Sequence, residues 1–290
     1  MSKHIAVLAA PLEDTSGFAA TLTDAGYRVS TIVADANVVT ALRASAVDVV
    51  FNAADRSGRV QGLLELLAIP YTHSGVLASA LAANRHQAKI VLRAASVPVT
   101  DHLIVGREEA ARQHQMAPPY VVKTIAGGTA VAAFAVVGER ETPPSLLLDG
   151  DWRGGEEVMI ERYAAGRTLE VVVMGDVALA VSESLPAGSE GGGGMAKIQL
   201  VTPAQISPNI YEKLQKIALR AHEVLGCRSV TRVSFRYDSR ASGDSGVVCL
   251  GVDALPSLQP QAPLSEQARY AGHSFADLVA WMVEDASCNR

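Results

Sequence analysis

Three shortages in the sequence each argue against a class of protein, and the first is a shortage of cysteine. The chain has three cysteines in 290 residues, Cys227, Cys249 and Cys288, an odd number at wide spacing. Reduced, structural thiols fit this pattern better than a disulfide framework or a Cys-x-x-Cys metal site. The second shortage is of long apolar runs, since none reaches the roughly 18 residues that a membrane helix needs. The run at 4–9 is typical of a first strand and not of a signal peptide, so we expect a cytoplasmic chain with no membrane partner.

The third shortage is of clustered positive charge. The net charge of the chain is -5, its pI is near 5.8, and its lysines and arginines form no run. A protein that binds the nucleic-acid backbone needs a concentrated positive surface. We therefore expect no nucleic-acid partner, whereas small anions stay open as ligands.

The chain is rich in apolar residues with a regular spacing. Hydrophobic residues make up 49% of it, which is enough for a large core divided over two or three subdomains. Near the start, short apolar or β-branched runs alternate with segments of helical spacing, at His4 to Ala9, Ser16 to Ala25, Arg28 to Val33, Ala36 to Ala44 and Val47 to Asn52. This alternation predicts a parallel α/β unit.

Further along, the pattern changes from helices to strands. Helical segments continue to about Pro98, and from Pro119 onward strand-like runs are separated by Gly, Pro and Asp turns, which predicts an antiparallel middle. The glycine-rich stretch at 187–195 loses too much entropy on ordering to form a regular element, so it is a mobile loop over a site or a slack connector. The tail predicts a helix over 208–225, two strands within 230–258 and a last helix over 274–286.

Two short stretches point to chemistry by themselves. The two strands within 230–258 are joined by a Ser/Gly/Asp turn, a common frame for a magnesium-nucleotide site, yet Asp253 is the only carboxylate within either run. The stretch A-G-G-T-A at 126–130 is a weak phosphate-loop signal, and a plain β-turn accounts for it about as well. The residues alone therefore leave the nature of the site open.

Longer segments carry a resemblance to a known family. They are F-N-A-A-D-R-S-G-R-V-Q-G-L-L-E-L-L-A-I-P-Y-T-H-S-G-V-L-A-S-A-L-A at 51–82, P-Y-V-V-K-T at 119–124, E-V-M-I-E-R-Y-A-A-G-R at 157–167 and A-L-R-A-H-E-V-L-G-C-R-S-V-T-R-V-S-F at 218–235. In this order they resemble the D-alanine:D-alanine ligases of the ATP-grasp superfamily over nearly the whole chain. The resemblance implies an α/β ATP-grasp fold, ATP as cofactor, a D-amino acid as substrate and a homodimer. It also implies three domains, at 1–95, 96–182 and 183–290.

The resemblance assigns several residues to the nucleotide. Lys123 matches a lysine that reaches the phosphates, where an ammonium offsets phosphate charge. Glu161 lies among the adenine-side residues, although the carboxylate expected near the ribose is replaced by Thr168. Lys197 matches the lysine of the loop that covers phosphate, and Arg85 stands in place of a lysine expected to touch the nucleotide.

The phosphate loop and the metal site depart from the family pattern. In the loop, the family's Glu-Gly-Ser-Ser-x-Gly is reduced to a stretch that still offers the backbone N–H groups of Gly127, Gly128 and Thr129. The family holds two magnesium ions with an Asp on one strand and a Glu and an Asn on the next. The matching residues here are Ser234, Gly251 and Asp253, so we expect weak or absent magnesium binding, with Asp253 as the remaining ligand.

The amino-acid side departs from the pattern as well. The loop that fixes the first D-alanine has no glycine pair here, and Glu13 is the candidate for its missing carboxylate. Ala262 and Pro263 stand where a serine and a leucine would meet the second substrate. Arg232 is kept as the candidate donor to the oxyanion of the tetrahedral intermediate.

Three hypotheses follow from these departures. In the first, the protein is a D-alanine:D-alanine ligase-like member that has lost standard ligase activity. The second is a working ATP-dependent carboxylate-amine ligase with altered substrate or metal use. In the third, the scaffold is a binding module that senses a nucleotide or a peptide, and the fold alone does not choose among the three.

Overall fold

The computed structural model describes residues 2–11, 15–127, 135–149, 152, 154–186, 198–241 and 246–288. Within these ranges the strands form three sheets, of three, four and five strands. These sheets, and the helices between them, decide which side chains meet at one cavity.

The first sheet is the parallel α/β unit that the alternating pattern predicts. Its strands β1 (His4–Ala9), β2 (Arg28–Val33) and β3 (Val49–Asn52) lie in the order β2-β1-β3, and both pairs are parallel. Helices α1 (Ser16–Asp24) and α2 (Val38–Ser45) connect these strands. Every residue of β1 and β3 is buried, as in a parallel sheet that is covered on both faces. The predicted parallel start is therefore confirmed.

Three helices lead from this sheet to the rest of the molecule: α3 (Arg59–Leu67), α4 (Val76–Ala83) and α5 (Arg85–Ala94). The Asn84 side chain caps α5 by accepting a hydrogen bond from the Gln87 N–H at 3.0 Å. Arg85 and Lys89 are four residues apart on α5, so they project from the same face of that helix.

The four-stranded sheet consists of β4 (His102–Gly106), β5 (Tyr120–Thr124), β6 (Ala135–Val137) and β7 (Glu157–Arg162) in the order β4-β7-β5-β6. All its pairs are antiparallel, as the strand-like middle predicts. Val121 lies opposite Glu161 in the register. Lys123, two residues beyond Val121, consequently lies on the same face of the sheet as Glu161.

The five-stranded sheet consists of β8 (Arg167–Met174), β9 (Val177–Pro186), β10 (Ile198–Val201), β11 (Val230–Tyr237) and β12 (Val247–Asp253) in the order β10-β9-β8-β11-β12. Side chains alternate along β11: Val233 and Phe235 belong to the largest apolar core, whereas Arg232 and Ser234 line a cavity. Helix α7 (Pro208–Val224) covers the core side of this sheet. One face of β11 therefore packs in the core, and the other face lines the cavity.

The remaining elements complete the packing. Helices α8 (Pro263–Tyr270) and α9 (Phe275–Glu284) pack near the first sheet, and α9 begins with the predicted capping box between Ser274 and Asp277. The sequence patterns do not predict β4, β10, α8 or the short helix α6 (Arg107–Arg112). The proposed domain boundary after residue 182 falls inside β9, and the division into three domains stays a prediction.

The structure also bears on two features of the sequence, namely its few cysteines and its lack of long apolar runs. No disulfide links the three cysteines, all of which lie in the described part of the chain, and burial raises the pKa of the Cys227 and Cys249 thiols to about 12 and about 11. These two thiols are therefore packing residues. Along the described parts of the chain, no helix combines the length and the apolar character needed to cross a membrane.

Candidate functional site

One cavity of about 440 Å³ opens between α5, the two antiparallel sheets and the loop that follows β3. Of the described residues, five cations and one carboxylate line it, namely Arg56, Arg85, Lys89, Lys123, Arg232 and Asp253. A cavity of this volume accepts a small molecule. Its excess of positive charge favours a ligand that carries several negative charges.

Two of these cations, Lys89 and Lys123, share one buried carboxylate. The Nζ atoms of Lys89 and Lys123 lie 2.9 and 2.5 Å from the Oε1 and Oε2 atoms of Glu161. Lys89 also donates to Thr100 Oγ1 at 2.9 Å, and the Thr100 hydroxyl donates to Glu161. Helix α5, strand β5 and strand β7 each supply one charged member of this group, which fixes the two ammonium groups at the cavity wall.

The charge state of this group follows from its contacts. Burial alone would raise the pKa of Glu161, but the charges of Lys89 and Lys123 and the hydrogen bonds from Lys123 and Thr100 together lower it to about 2. Burial lowers the pKa of Lys123, and the Glu161 carboxylate opposes that shift. Glu161 is therefore ionised at neutral pH and holds the lysines in place. It does not itself line the cavity.

The third cation of this wall, Arg85, anchors the segment that enters the predicted phosphate loop. Its Nη1 donates to the backbone O of Thr124 at 2.8 Å, to the Thr124 hydroxyl at 3.0 Å and to the backbone O of Ala126 at 2.5 Å. The Gly127 N–H donates to the Ala83 carbonyl at 2.6 Å, and a Cβ at Gly127 would lie 3.2 Å from that oxygen. Arg85 and Gly127 therefore line the cavity while holding the start of the loop against α4.

On the opposite wall, Asp253 lies between two arginines. Its Oδ1 accepts from Arg56 Nη1 at 2.6 Å and from the Leu255 N–H at 3.1 Å, and its Oδ2 accepts from Arg232 Nη2 at 3.3 Å. Arg56 Nη1 also donates to the Leu255 carbonyl. The other amino group of Arg232 donates to Glu170 Oε1 at 2.7 Å. Each of the two carboxylates is thus already bound to a guanidinium group.

These contacts decide whether the residues suit the magnesium ions that the resemblance implies. Ser234 and Gly251 lie directly opposite each other on β11 and β12, where they supply a hydroxyl group and no side chain. Hard cations require several oxygen ligands with negative charge, but both carboxylates here are paired with arginine. Over the described ranges, no group of three or more His, Cys, Asp or Glu side chains has the arrangement of a metal site. The residues therefore do not fit a two-magnesium site.

The structure brings together six of the residues that the sequence singles out: Arg85, Lys123, Gly127, Glu161, Arg232 and Asp253. Glu13, Gly128, Thr129 and Lys197 lie outside the described residues, as does the glycine-rich stretch at 187–195. Arg56 is one of the site residues that the sequence reasoning missed. Its signal was the arginine in A-A-D-R-S-G at 53–58, a stretch that the sequence reasoning uses only as part of the family resemblance.

Comparison with known proteins gives close relatives over the whole chain. A family model described as "D-ala D-ala ligase C-terminus" matches residues 91–284. The D-alanine--D-alanine ligase of Rhizobium meliloti is 43% identical over 311 aligned residues, which cover 100% of this chain and 99% of the relative. A protein of the same name from Methylorubrum extorquens is 44% identical over 310 residues, which cover 100% of both chains.

Solved structures agree on the fold. The D-alanine--D-alanine ligase of Bacillus anthracis complexed with ATP superposes with a TM-score of 0.77 at 20% identity, over 98% of this chain and 97% of that chain. A second structure of the Bacillus anthracis ligase gives a TM-score of 0.79 at 18% identity over the same shares. The α/β fold is accordingly the ATP-grasp fold in its D-alanine:D-alanine ligase-like form. With its family model and its full-length relatives taken together, the chain belongs to the D-alanine:D-alanine ligase family.

Proposed function

We propose that this protein binds the triphosphate of a nucleotide in the cavity but has lost most or all standard D-alanine:D-alanine ligase activity. The observation that carries the proposal is the position of Asp253 between Arg56 and Arg232, beside a serine and a glycine. Compared with the residue pattern of the family, this site keeps the cations that suit phosphate and lacks the carboxylates that would bind metal ions. A protein of this kind acts as a nucleotide-binding module.

The nucleotide part of the proposal is supported by the first wall of the cavity. Lys89 and Lys123 are fixed by one ionised carboxylate, so their ammonium groups are already in place when an anion enters. Arg85, one turn from Lys89, holds the start of the loop that follows β5. Fixed cations lose little side-chain entropy on binding, which favours affinity for a triphosphate.

The loss of ligase chemistry is supported by the second wall. Acyl phosphate formation from ATP requires the charge on the transferring phosphoryl group to be stabilised, a task that metal ions usually perform. Ser234, Gly251 and the paired Asp253 do not provide ligands for such ions. Arg232, the candidate oxyanion donor, has its two amino groups engaged by Glu170 and Asp253 in the absence of substrate.

A second candidate function is an active ATP-dependent carboxylate-amine ligase with altered substrate or metal use. The observation that favours it is the identity of 43% over the whole chain to a protein named as a ligase. Under this alternative, Arg232 would exchange its carboxylate partners for the oxyanion during turnover. A cytoplasmic location and a homodimeric assembly stay predictions under both functions.

Calorimetric titration with ATP tests the nucleotide part. We expect binding by the unmodified protein and a loss of at least about tenfold in affinity for Lys123→Ala, equivalent to ~1.4 kcal/mol. Lys216→Ala is the matched control, since the Lys216 side chain is 78% exposed on α7, where it pairs with Glu212 one turn away. Equal affinity of the Lys123 and Lys216 variants, or no heat at millimolar nucleotide, would contradict the proposed site.

Phosphate release with D-alanine and magnesium-ATP tests the loss of activity. We expect no D-alanine-dependent release above background. Turnover of even about 1 per second, the lower part of the ordinary enzyme range, would establish the second candidate function instead.

A further inference from the structure

The cavity has more positive charge than its lysine wall alone would provide. Among the residues that the structure describes, five cations line it, and the carboxylates that pair with these cations are Glu161, Glu170 and Asp253. When all three carboxylates are counted as ionised, the site still keeps an excess of two positive charges. A nucleotide triphosphate therefore meets a cationic site before any metal ion is added.

Arg56, with Arg232, supplies positive charge on the wall of the cavity that holds Ser234 and Gly251. Arg56 Nη1 lies 2.6 Å from Asp253 Oδ1, and Asp253 lies two residues after Gly251 on β12, so the two residues share one face of that strand. The Arg56 side chain is 33% exposed and lines the cavity, so an incoming anion reaches it. A guanidinium group binds phosphate oxygens through parallel N–H donors, which gives it both charge and direction.

The loop that carries Arg56 is fixed by its own side chains. Asp55 Oδ1 accepts from the Ser57 N–H at 3.2 Å and from the Ser57 hydroxyl at 2.7 Å, and its Oδ2 accepts from the Val60 N–H at 3.1 Å. Asn52 Oδ1 accepts from the Asp55 N–H at 3.2 Å. These bonds tie the loop to the end of β3 and to the first turn of α3. Arg56 is thus held at the cavity and needs little reorganisation to contact a ligand.

We propose that Arg56, together with Arg232, takes the place of a divalent cation, so that the cavity binds ATP without requiring a magnesium ion. This inference rests on the proposed nucleotide binding. It adds that magnesium is not needed for binding and that Arg56 is the residue responsible. Phosphate oxygens replace Asp253 as the partners of the two guanidinium groups. In the unliganded protein, Asp253 occupies the place of the anion.

Titration with ATP in the presence of EDTA, and in parallel with excess magnesium, tests the inference. For the unmodified protein we expect affinities that differ by less than about threefold between the two conditions. For Arg56→Gln we expect metal-free affinity to fall at least about tenfold, with partial recovery on adding magnesium because Asp253 Oδ1 is released. The matched control is Arg59→Gln, an arginine of the same segment whose side chain is 87% exposed, and we expect it to change neither affinity.

A second variant gives a change of opposite sign, which loosening of the fold would not produce. Asp253→Asn removes the anion that competes with phosphate, so metal-free ATP should bind at least about threefold more tightly. If Asp253 instead held magnesium, the same variant would weaken binding of magnesium-ATP. Thermal unfolding of each variant shows whether it is folded during the titration.

The outcomes separate this inference from the function on which it rests. ATP binding that needs magnesium, or equal effects of Arg56→Gln and Arg59→Gln, would overturn the role of Arg56 and leave nucleotide binding in place. Absence of ATP binding in both conditions would overturn both. D-alanine-dependent phosphate release would contradict only the loss of ligase activity, and the titrations would still decide the role of Arg56.

Discussion

At the scale of single residues, Glu161 is the most constrained charged group of the site. Its side chain is 2% exposed and forms ion pairs with Lys89 and Lys123, which come from a helix and a neighbouring strand. A buried charge is stable only when its partners offset the loss of hydration. Glu161 therefore links the proposed phosphate-binding geometry to the stability of the fold, since the same contacts serve both.

The first prediction concerns the removal of this charge. Glu161→Gln leaves two buried or nearly buried ammonium groups without their counter-ion, so we expect a loss of roughly 3 kcal/mol in the free energy of unfolding near neutral pH. Urea unfolding measures it. Glu108→Gln is the control, because its ion pair with Arg112 is exposed and should contribute less than about 0.5 kcal/mol. Equal effects of the two substitutions would show that the buried pairs do not stabilise the fold.

The second prediction is the pH dependence of that stability. The pKa of Glu161 falls from its ordinary 4.5 to about 2 on folding, so its contribution is fully present above the unfolded value. The contribution is lost as the pH falls from about 4.5 toward 2, because the unfolded chain then binds the proton first. The free energies of unfolding of the unmodified protein and of Glu161→Gln should therefore become similar at acid pH. A constant difference between them across this range would contradict the ion pairs.

At the scale of elements, the loop that carries Arg56 depends on close packing between α3 and α4. Gly58 precedes α3 with φ at +90°, and a Cβ there would lie 2.6 Å from the Val76 backbone carbonyl. Both the conformation and the contact exclude a side chain. Gly58 lies two residues after Arg56. It therefore lets α3 begin in direct contact with Val76, the first residue of α4.

The third prediction compares this glycine with a second one of the same conformation. Gly26 also has φ at +90°, but a Cβ there would meet nothing within 4 Å. We expect Gly26→Ala to cost about 1–2 kcal/mol through backbone strain alone. Gly58→Ala should cost at least about 1 kcal/mol more, because the carbonyl contact adds to the strain. Chemical unfolding of the two variants measures this difference, and similar losses would mean that α3 and α4 separate easily.

At the scale of the whole molecule, departures from the ligase pattern occur in several parts of the fold. Ser234 and Gly251 lie in the five-stranded sheet, while Ala262 and Pro263 lie at the start of α8. By the resemblance, metal carboxylates would stabilise the transferring phosphoryl group, whereas the other positions would hold the amino acids in register. An error of about 1 Å in the position of either reactant reduces the rate by roughly a hundredfold.

The fourth prediction is that restoring metal ligands alone does not restore a ligase. A Cβ at Gly251 meets nothing within 4 Å, so the double variant Ser234→Asp with Gly251→Glu has room for its new side chain on β12. We expect tighter binding of magnesium-ATP and no D-alanine-dependent phosphate release. Turnover of about 1 per second by this variant would show that the metal site was the sole defect.

The strands and helices of the chain were largely predictable, because hydrophobic spacing is a local property of the sequence. The parallel first sheet, the helix at 208–224 and the capping box of α9 all follow from such spacing. Strand β10 was missed because it has only four residues, and helix α8 was missed because the buried face of its eight residues includes the polar Gln267. The family itself was recognisable from motifs in several parts of the chain.

The contacts between the site residues, by contrast, were not predictable from the sequence. Sequence alone names Lys123 and Glu161 as nucleotide residues, yet only the paired strands and α5 show that Glu161 holds Lys123 and Lys89 together. It also names Asp253 as a metal ligand without its arginine partners. Arg56 and Asp253 are 197 residues apart in the chain, and their contact requires the loop after β3 to meet the end of β12.

The sequence by itself thus determined most of the elements, the family resemblance and the presence of serine and glycine where that resemblance leads us to expect metal carboxylates, because each depends on residue type and local spacing. Tertiary structure alone decided that Asp253 is bound by two guanidinium groups and that the cavity keeps excess positive charge. Electrostatic energy depends on the distance between charges and on their exposure to water, and neither quantity is encoded in the separation of residues along the chain.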